Sequence, residues 1–189
     1  MGREAPADSM LLRQFCNGCY ESFERLITRY ERQIFGVARA VLPDPGKAEG
    51  VLAGVFVNLA QRATELLDST SLEHFLLRTL RDLLIEEQEI DPRLLEHGRQ
   101  SVEFSEQHTT QSDLRLSNLP VHFSFPFVLR HVARKDISEI AQIIEIPPRA
   151  AQLRLTRSYR LLKRLSAGDS PQSVWRTATS VDGHILADI

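Results

Sequence analysis

The sequence predicts an all-α protein, and three observations support this. Apolar residues recur at steps of three and four over most of the 189 residues. Clusters of Pro, Gly and Ser divide the pattern into helix-length stretches. The hydrophobic and charged fractions, 42% and 25%, are typical of a globular protein. We predict a three- to four-helix bundle in residues 9–88, a flexible linker in 89–113, a second helical domain in 114–167 and a disordered tail in 168–189.

The predicted N-terminal bundle starts with a short helix, which an Asn-Gly turn ends. The second helix covers residues 20–42, and the Pro-Asp-Pro-Gly sequence that follows stops it. The third covers 47–67, and Ser71 is placed to cap the fourth. These helices can cover one another's apolar faces. The faces consist of Leu11, Leu12, Phe15, Phe23, Leu26, Ile27, Tyr30, Ile34, Val37, Ala38, Val41, Val51, Leu52, Val55, Phe56, Leu59, Ala60, Leu72, Phe75, Leu76, Thr79, Leu80, Leu83 and Leu84.

Cys16 and Cys19 form a C-x-x-C pair in the loop between the first two helices. Such a pair can be a redox dithiol or half of a zinc site. A complete zinc site needs two more ligands, and the nearest histidine along the chain is His74. We favour a plain loop that contains two thiols, with a redox or zinc pair as the alternative. No metal site and no cofactor are therefore predicted.

The middle and the end of the chain have weaker patterns. Residues 88–113 are mostly polar and lack sustained periodicity, which indicates a linker. A helix is predicted over 119–132, where Pro126 should kink or shorten it. In the tail, Trp175 could dock on a domain, but the composition favours disorder.

Charge is distributed unevenly along the chain. Residues 1–90 carry 10 basic and 14 acidic side chains, whereas residues 110–167 carry 10 basic and 4 acidic ones. A basic C-terminal half favours a nucleic-acid partner. No apolar run approaches the roughly 18 residues that span a bilayer, and no signal peptide is apparent. We therefore expect a cytoplasmic protein without membrane insertion.

The most informative segment covers residues 136–165. Asp136 or Ser138 can cap a helix over 137–144, and Pro147-Pro148 suits the first turn of a second helix that continues to 165. About three residues join the two helices, the spacing of a helix-turn-helix. Its small core is predicted to contain Ile137, Ile140, Ala141, Ile144, Ile146, Ala151, Leu155 and Leu162.

The second helix of this unit is strongly basic. It contains no acidic residue, whereas an ordinary solvated helix usually intersperses acids among its cations. Arg149 and Gln152 lie near its N-terminus, where side chains can reach base edges. The remaining cations can contact phosphates. They are Arg154, Arg157, Arg160, Lys163 and Arg164.

In its order of motifs, the chain resembles the group 4, or extracytoplasmic-function, sigma-70 factors of bacterial RNA polymerase. The resemblance covers residues 11–87 and 114–166. It is carried by YESFERLITRY at 20–30, DPGKAE at 44–49, Leu119-Pro120, VLRHV at 128–132, ISEIA at 137–141 and LRLTR at 153–157. Such factors have a helical N-terminal domain, a flexible linker and a C-terminal helix-turn-helix domain.

The resemblance implies roles for particular residues. The helix-turn-helix would read the minus-35 promoter element through Arg149, Gln152, Arg154 and Arg157. Thr156, Arg160 and Lys163 would complete the DNA-binding set. The third helix would face the polymerase clamp through Glu49, Leu52, Val55, Phe56 and Asn58. Residues 72–87 would meet the minus-10 element. The implied partners are RNA polymerase core, promoter DNA and an anti-sigma factor.

The chain also departs from the family. After Glu49 the family usually has an acid and then Gln, whereas this chain has Gly50 and Ala53. The fourth helix ends in acids rather than in the basic stretch that holds DNA, and carboxylates repel phosphates. These acids are Asp82, Glu86, Glu87 and Glu89. In the turn of the helix-turn-helix, Glu145 stands where Gly is more common.

The leading hypothesis is a divergent sigma factor that binds polymerase core and directs promoter-specific initiation. The first alternative is a sigma-like decoy or adaptor that binds an anti-sigma factor or another regulator, because a protein partner does not need the missing basic contacts. The second is a simple helix-turn-helix repressor. The sequence contains no nucleophile–base pair, paired carboxylates or phosphate loop, so no enzyme activity and no catalytic residues are predicted.

Overall fold

The computed structural model describes residues 7–67, 71–90 and 116–174, together with Thr177. No strand occurs in these ranges, and the predicted all-α class is confirmed. The helices are α1 (Asp8–Cys16), α2 (Tyr20–Val41), α3 (Pro45–Arg62), α4 (Leu72–Ile90), α5 (Val121–His131), α6 (Ile137–Ile144) and α7 (Pro148–Ser166). Most of the predicted linker, and Trp175 in the tail, lie outside the described residues.

The helices of the N-terminal bundle end where the local sequence dictates. After α1, Gly18 adopts φ +90°, and the Cys19 N–H donates to the Gln14 carbonyl at 3.0 Å. This hydrogen bond and the left-handed glycine form a Schellman cap. The Asp44 side chain accepts from Gly46 N at 2.7 Å, which caps the start of α3.

One continuous hydrophobic core connects the two halves of the chain. The buried residues of the N-terminal helices belong to the same cluster as Val128 and Leu129 of α5 and Ile140 and Ile143 of α6. Helix α4 contacts both α5 and α6, and α2 contacts α5. The Gln88 side chain also accepts from Val121 N at 2.9 Å and donates to Leu119 O at 3.3 Å. The helix-turn-helix half is therefore packed on the bundle.

Helix α5 continues through Pro126 and ends at His131, one residue before the predicted end. Pro126 is buried, as are most of its neighbours in this helix. Proline removes one backbone donor, but it does not stop this helix, because burial of Phe125 and Val128 on either side stabilises it.

The first residues of the tail are packed, contrary to the predicted disorder. Gly168 adopts φ +96° and ends α7, and Asp169 then pairs with Arg164 at 2.6 Å. Val174 is 0% exposed and lies in a small apolar cluster with Leu119, Phe123 and Leu161. Burial of this single aliphatic side chain attaches the start of the tail to α5 and α7.

Candidate nucleic-acid interface

Helices α6 and α7 form the predicted helix-turn-helix. Of the two possible caps, Asp136 is the one that the structure uses: its side chain accepts from Glu139 N at 2.8 Å. Glu139 accepts in return from Asp136 N at 2.8 Å, which completes a capping box. Ile140, Ala141 and Ile144 of α6 are buried, as are Ala151 and Leu155 of α7. Near the end of α7, Leu161 is buried where we predicted Leu162, which is only partly buried.

Glu145 forms the turn between these helices in a left-handed conformation, with φ 60° and ψ 43°. This conformation costs a residue with a Cβ about 1 kcal/mol more than glycine. It allows Ile146 N to donate to Ala141 O at 3.0 Å, so the chain reverses within a few residues. Glu145, which stands where glycine is more common in the turn, is therefore a strained position.

The outer face of α7 points away from the core. Positions 149, 152, 156, 160 and 163 follow one another at steps of three and four, and position 153 lies four after 149, which places all of them on one side of the helix. The exposed residues at these positions are Arg149, Gln152, Leu153, Arg160 and Lys163, with the partly buried Thr156 between them. Thr156 donates to the Gln152 carbonyl at 2.9 Å. Five of the seven predicted DNA-binding residues thus lie on this outer face.

The other two predicted DNA-binding residues, Arg154 and Arg157, are partly buried on the flank of α7. The Arg157 guanidinium lies 5.4 Å from the centre of the Phe123 ring and donates to the Thr177 carbonyl at 3.4 Å. Arg157 therefore contacts α5 and the tail. Helical spacing could have predicted this difference. Arg154 and Arg157 lie seven and four positions before the buried Leu161, so they share the side of α7 that faces the core.

An aromatic cluster, which the sequence did not predict, lies beside the outer face. The rings of Phe127 and His131 of α5 lie 4.4 Å apart between centres and are tilted by 38°, and Tyr159 of α7 meets both rings edge-on. The His131 Nε2 atom lies 2.5 Å from the Tyr159 hydroxyl. Burial, together with the nearby Arg130 and Arg134 charges, lowers the pKa of His131. The i, i+4 spacing of Phe127 and His131 was the available signal.

The residues predicted to face polymerase do not form one surface. Glu49 is exposed, whereas Leu52 is partly buried. Asn58 is also partly buried and donates to the Gly54 carbonyl at 2.9 Å. Val55 and Phe56 are part of the hydrophobic core. Because core side chains cannot contact a partner without unfolding, direct polymerase contact by Val55 and Phe56 does not fit this structure.

Two arginines of α4, which the sequence reasoning did not select, point at the helix-turn-helix. Arg78 and Arg81 both form ion pairs with Glu145, at 2.9 and 3.4 Å. Two of the acids that follow on the same helix also form ion pairs. Asp82 pairs with Arg81 at 2.8 Å, and Glu87 pairs with Lys47 of α3 at 2.9 Å. No local pattern could have selected the two arginines, because their partner lies 64 positions away from Arg81.

A buried lysine lies at the centre of a polar cluster between the two halves. Lys135 is 8% exposed, and its Nζ lies 2.7 Å from Glu73 and 3.2 Å from Glu139. Gln33 donates to the other oxygen of Glu73 at 2.6 Å. Burial disfavours the charge on Glu73, but hydrogen bonds from Lys135 and Gln33 outweigh it and lower its pKa. Burial likewise disfavours the charge on Lys135, but its two carboxylate partners outweigh this effect, and the pKa of Lys135 is raised.

The two cysteines lie at the junction of α1 and α2. Cys16 is partly buried and Cys19 is exposed, and both are free thiols. Ser22 donates to the Cys19 sulfur at 3.3 Å. Across the described ranges, no group of three or more His, Cys, Asp or Glu could hold a metal ion. Within the same ranges, none of the helices combines the length and apolarity needed to cross a membrane.

No family model and no curated protein matches the sequence. Among solved structures, CnrH in complex with the cytosolic domain of CnrY is similar, with a TM-score of 0.65 and 17% identity. The similarity covers 87% of this chain and 100% of that chain. CnrH is an extracytoplasmic-function sigma factor. At this level of identity the comparison establishes a common fold, which includes both the bundle and the helix-turn-helix.

Proposed function

We propose that this protein is a divergent extracytoplasmic-function sigma factor, which binds RNA polymerase core and directs it to promoters through its helix-turn-helix. The observation that carries the proposal is the outer face of α7. It presents three exposed cations and an amide on a helix that contains no acid, and a short turn joins this helix to the capped helix α6. The fold shared with CnrH supports the assignment to sigma factors rather than to another class of DNA-binding protein.

The outer face divides into two chemical functions. Arg149 and Gln152 lie in the first turns of α7, which enter the major groove in proteins of this type. Arginine pairs with guanine and glutamine with adenine through two hydrogen bonds each. Arg160 and Lys163 lie two to three turns further along, where they would contact phosphates and set the register. Arg157 supports this surface indirectly, because it packs on Phe123 and the tail.

Polymerase binding is assigned to the exposed part of α3. The residues proposed for this contact are Glu49 and the partly exposed Leu52 and Asn58. Val55 and Phe56 act only as the packing that fixes the position of this helix. The proposed polymerase contact therefore contains three of the five residues that the sequence suggested.

The test of the proposal is association with polymerase, followed by transcription. We expect the full chain to co-purify with polymerase core from its host and to direct transcription in vitro from promoters located by binding-site sequencing. Glu49→Arg should weaken the association, whereas Glu31→Arg, an exposed carboxylate of α2, should leave it unchanged. Absence of any polymerase association would contradict the proposal.

The phosphate contacts predict a defined salt dependence. We expect Lys163→Ala to weaken binding to duplex DNA about equally for all sequences. The slope of log K against log salt should become shallower by about 0.9, since one phosphate contact is lost. Filter binding or fluorescence anisotropy at several salt concentrations measures this slope. Arg13→Ala, which removes an exposed cation of α1, is the matched control. An unchanged slope for Lys163→Ala would remove this residue from the interface.

A second candidate function is binding to an anti-sigma factor. The supporting observation is that CnrH was solved in complex with the cytosolic domain of CnrY, its anti-sigma factor. Affinity purification from the host distinguishes the candidates. A regulator recovered without polymerase subunits would favour the decoy or adaptor, whereas a regulator that competes with polymerase would fit a regulated sigma factor.

A further inference from the structure

The turn of the helix-turn-helix is attached to α4 by a small group of charged residues. Arg78 Nη1 lies 2.9 Å from Glu145 Oε1, and Arg81 Nη2 lies 3.4 Å from Glu145 Oε2. The carboxylate therefore uses one oxygen for each guanidinium. We name the group of Arg78, Arg81 and Glu145 the closing contact.

The same two arginines also contact the end of α6. Arg78 Nη2 donates to the Gln142 carbonyl at 3.4 Å, and Arg81 Nη1 donates to the Ile143 carbonyl at 3.4 Å. The last carbonyls of a helix lack partners within the helix and form its negative end. Cations of α4 therefore meet both the dipole of α6 and the adjacent carboxylate. The side chain of Arg81 is only 18% exposed, so part of this interaction is shielded from solvent.

The conformation of Glu145 indicates that this contact has a role beyond the turn. A left-handed turn is satisfied best by glycine, and the helix-turn-helix itself needs no carboxylate there. The side chain of Glu145 is directed at α4, not at its own helices. What a glycine would lack at this position is the attachment to the N-terminal half.

We propose that the closing contact is a conformational switch that keeps the helix-turn-helix half on the N-terminal bundle. While it is formed, the guanidinium groups of Arg78 and Arg81 lie on Glu145 and on the end of α6, so their charge is partly balanced and less available to an external polyanion. Release of Glu145 frees both cations and shifts the equilibrium toward separated halves. The inference rests on the proposed function in one respect, because a sigma factor must present α4 and α7 to nucleic acid.

The apolar packing beneath the closing contact limits how far its loss can shift the protein from the closed to the open form. Ile140 and Ile143 of α6 belong to the same core as Leu77 and Leu80 of α4, so part of the population stays closed even without Glu145. Partly exposed ion pairs change an equilibrium by a modest factor each. We therefore expect loss of the closing contact to raise the open population about threefold to tenfold.

The experiment measures the distance between the halves in the full chain, without DNA or polymerase. Spin labels are attached at Gln61→Cys on α3 and Ser138→Cys on α6, both exposed, in a chain whose native cysteines are replaced by serine. Electron paramagnetic resonance then gives the distance distribution. Glu145→Gly and Glu145→Asn should each add a longer-distance population. Arg78→Gln combined with Arg81→Gln should do the same, while Glu31→Gln should not.

Hydrogen exchange separates opening from unfolding. Amides of α6 and α7 should stay at least as protected in Glu145→Gly as in the wild type, since glycine relaxes the turn. An unchanged distance distribution in the Glu145 and arginine variants would overturn the switch, even if the protein binds DNA and polymerase. Separation of the halves in a chain that binds neither would support the switch and contradict the proposed function.

Discussion

Replacement of Lys135 by methionine is expected to lower the free energy of unfolding by about 3 kcal/mol, the lower end of the range for removing one partner of a buried ion pair. Methionine is unbranched like lysine and only one atom shorter, so it keeps most of the apolar stem but removes the charge. Glu73 would then lose its partner at 2.7 Å while Gln33 continued to hold it at the junction of α2 and α4. Chemical denaturation at neutral pH, followed by circular dichroism, measures this change.

Lys163→Met is the matched control for this prediction, since it makes the same chemical change at an exposed site of α7. Its effect on stability should stay within about 0.5 kcal/mol. Equal stability of the two variants would show that the Lys135 cluster contributes nothing to the association of the halves.

The same cluster predicts an acid-sensitive contribution to stability. The pKa of Glu73 is lowered in the folded state, so its contribution is complete above the ordinary carboxyl value of 4.5. It is lost as the pH falls from there through the folded-state pKa. Glu73→Gln should therefore flatten the decrease of stability below about pH 4.5. A wild-type-like decrease in this variant would assign the acid sensitivity to other carboxylates.

Arg149→Ala is expected to weaken binding to the selected DNA site by about 1–3 kcal/mol, or roughly fivefold to 150-fold, and to relax specificity at one base pair. The reason is the position of Arg149 in the first turn of α7, exposed on the outer face. Selection of duplex sites from a random library with the wild type and the variant gives both the affinity and the base preference.

The comparison with Lys163→Ala makes this prediction specific. Base contacts alter the preferred sequence, whereas phosphate contacts alter affinity for every sequence. Arg32→Ala, at an exposed site of α2, should change neither property. If Arg149→Ala and Lys163→Ala reduced affinity equally and left the selected sequence unchanged, α7 would be bound to phosphates alone.

The sequence by itself determined the helices and the chemical character of α7. The steps of three and four in α2 predicted the burial of Leu26, Ile34 and Val37, and the structure confirms it. The two candidate caps of α6, Asp136 and Ser138, and the absence of acids from α7 are likewise visible in a short stretch of residues, and the structure uses Asp136. These features depend on neighbours within about one helical turn, so local spacing is sufficient to predict them.

The tertiary structure decided which side chains remain available for function. It turned Arg157 toward Phe123, although the resemblance had implied that Arg157 reads DNA. The burial of Phe56 was already predicted by periodicity, and it argues against the polymerase contact that the resemblance implied for this residue. The tertiary structure also brought Glu145 to Arg81 across 64 positions of the chain. Local patterns cannot encode such pairs, because the partner is selected by how α4 and α6 bury their apolar faces against each other. The packing of those faces determines where the charges meet.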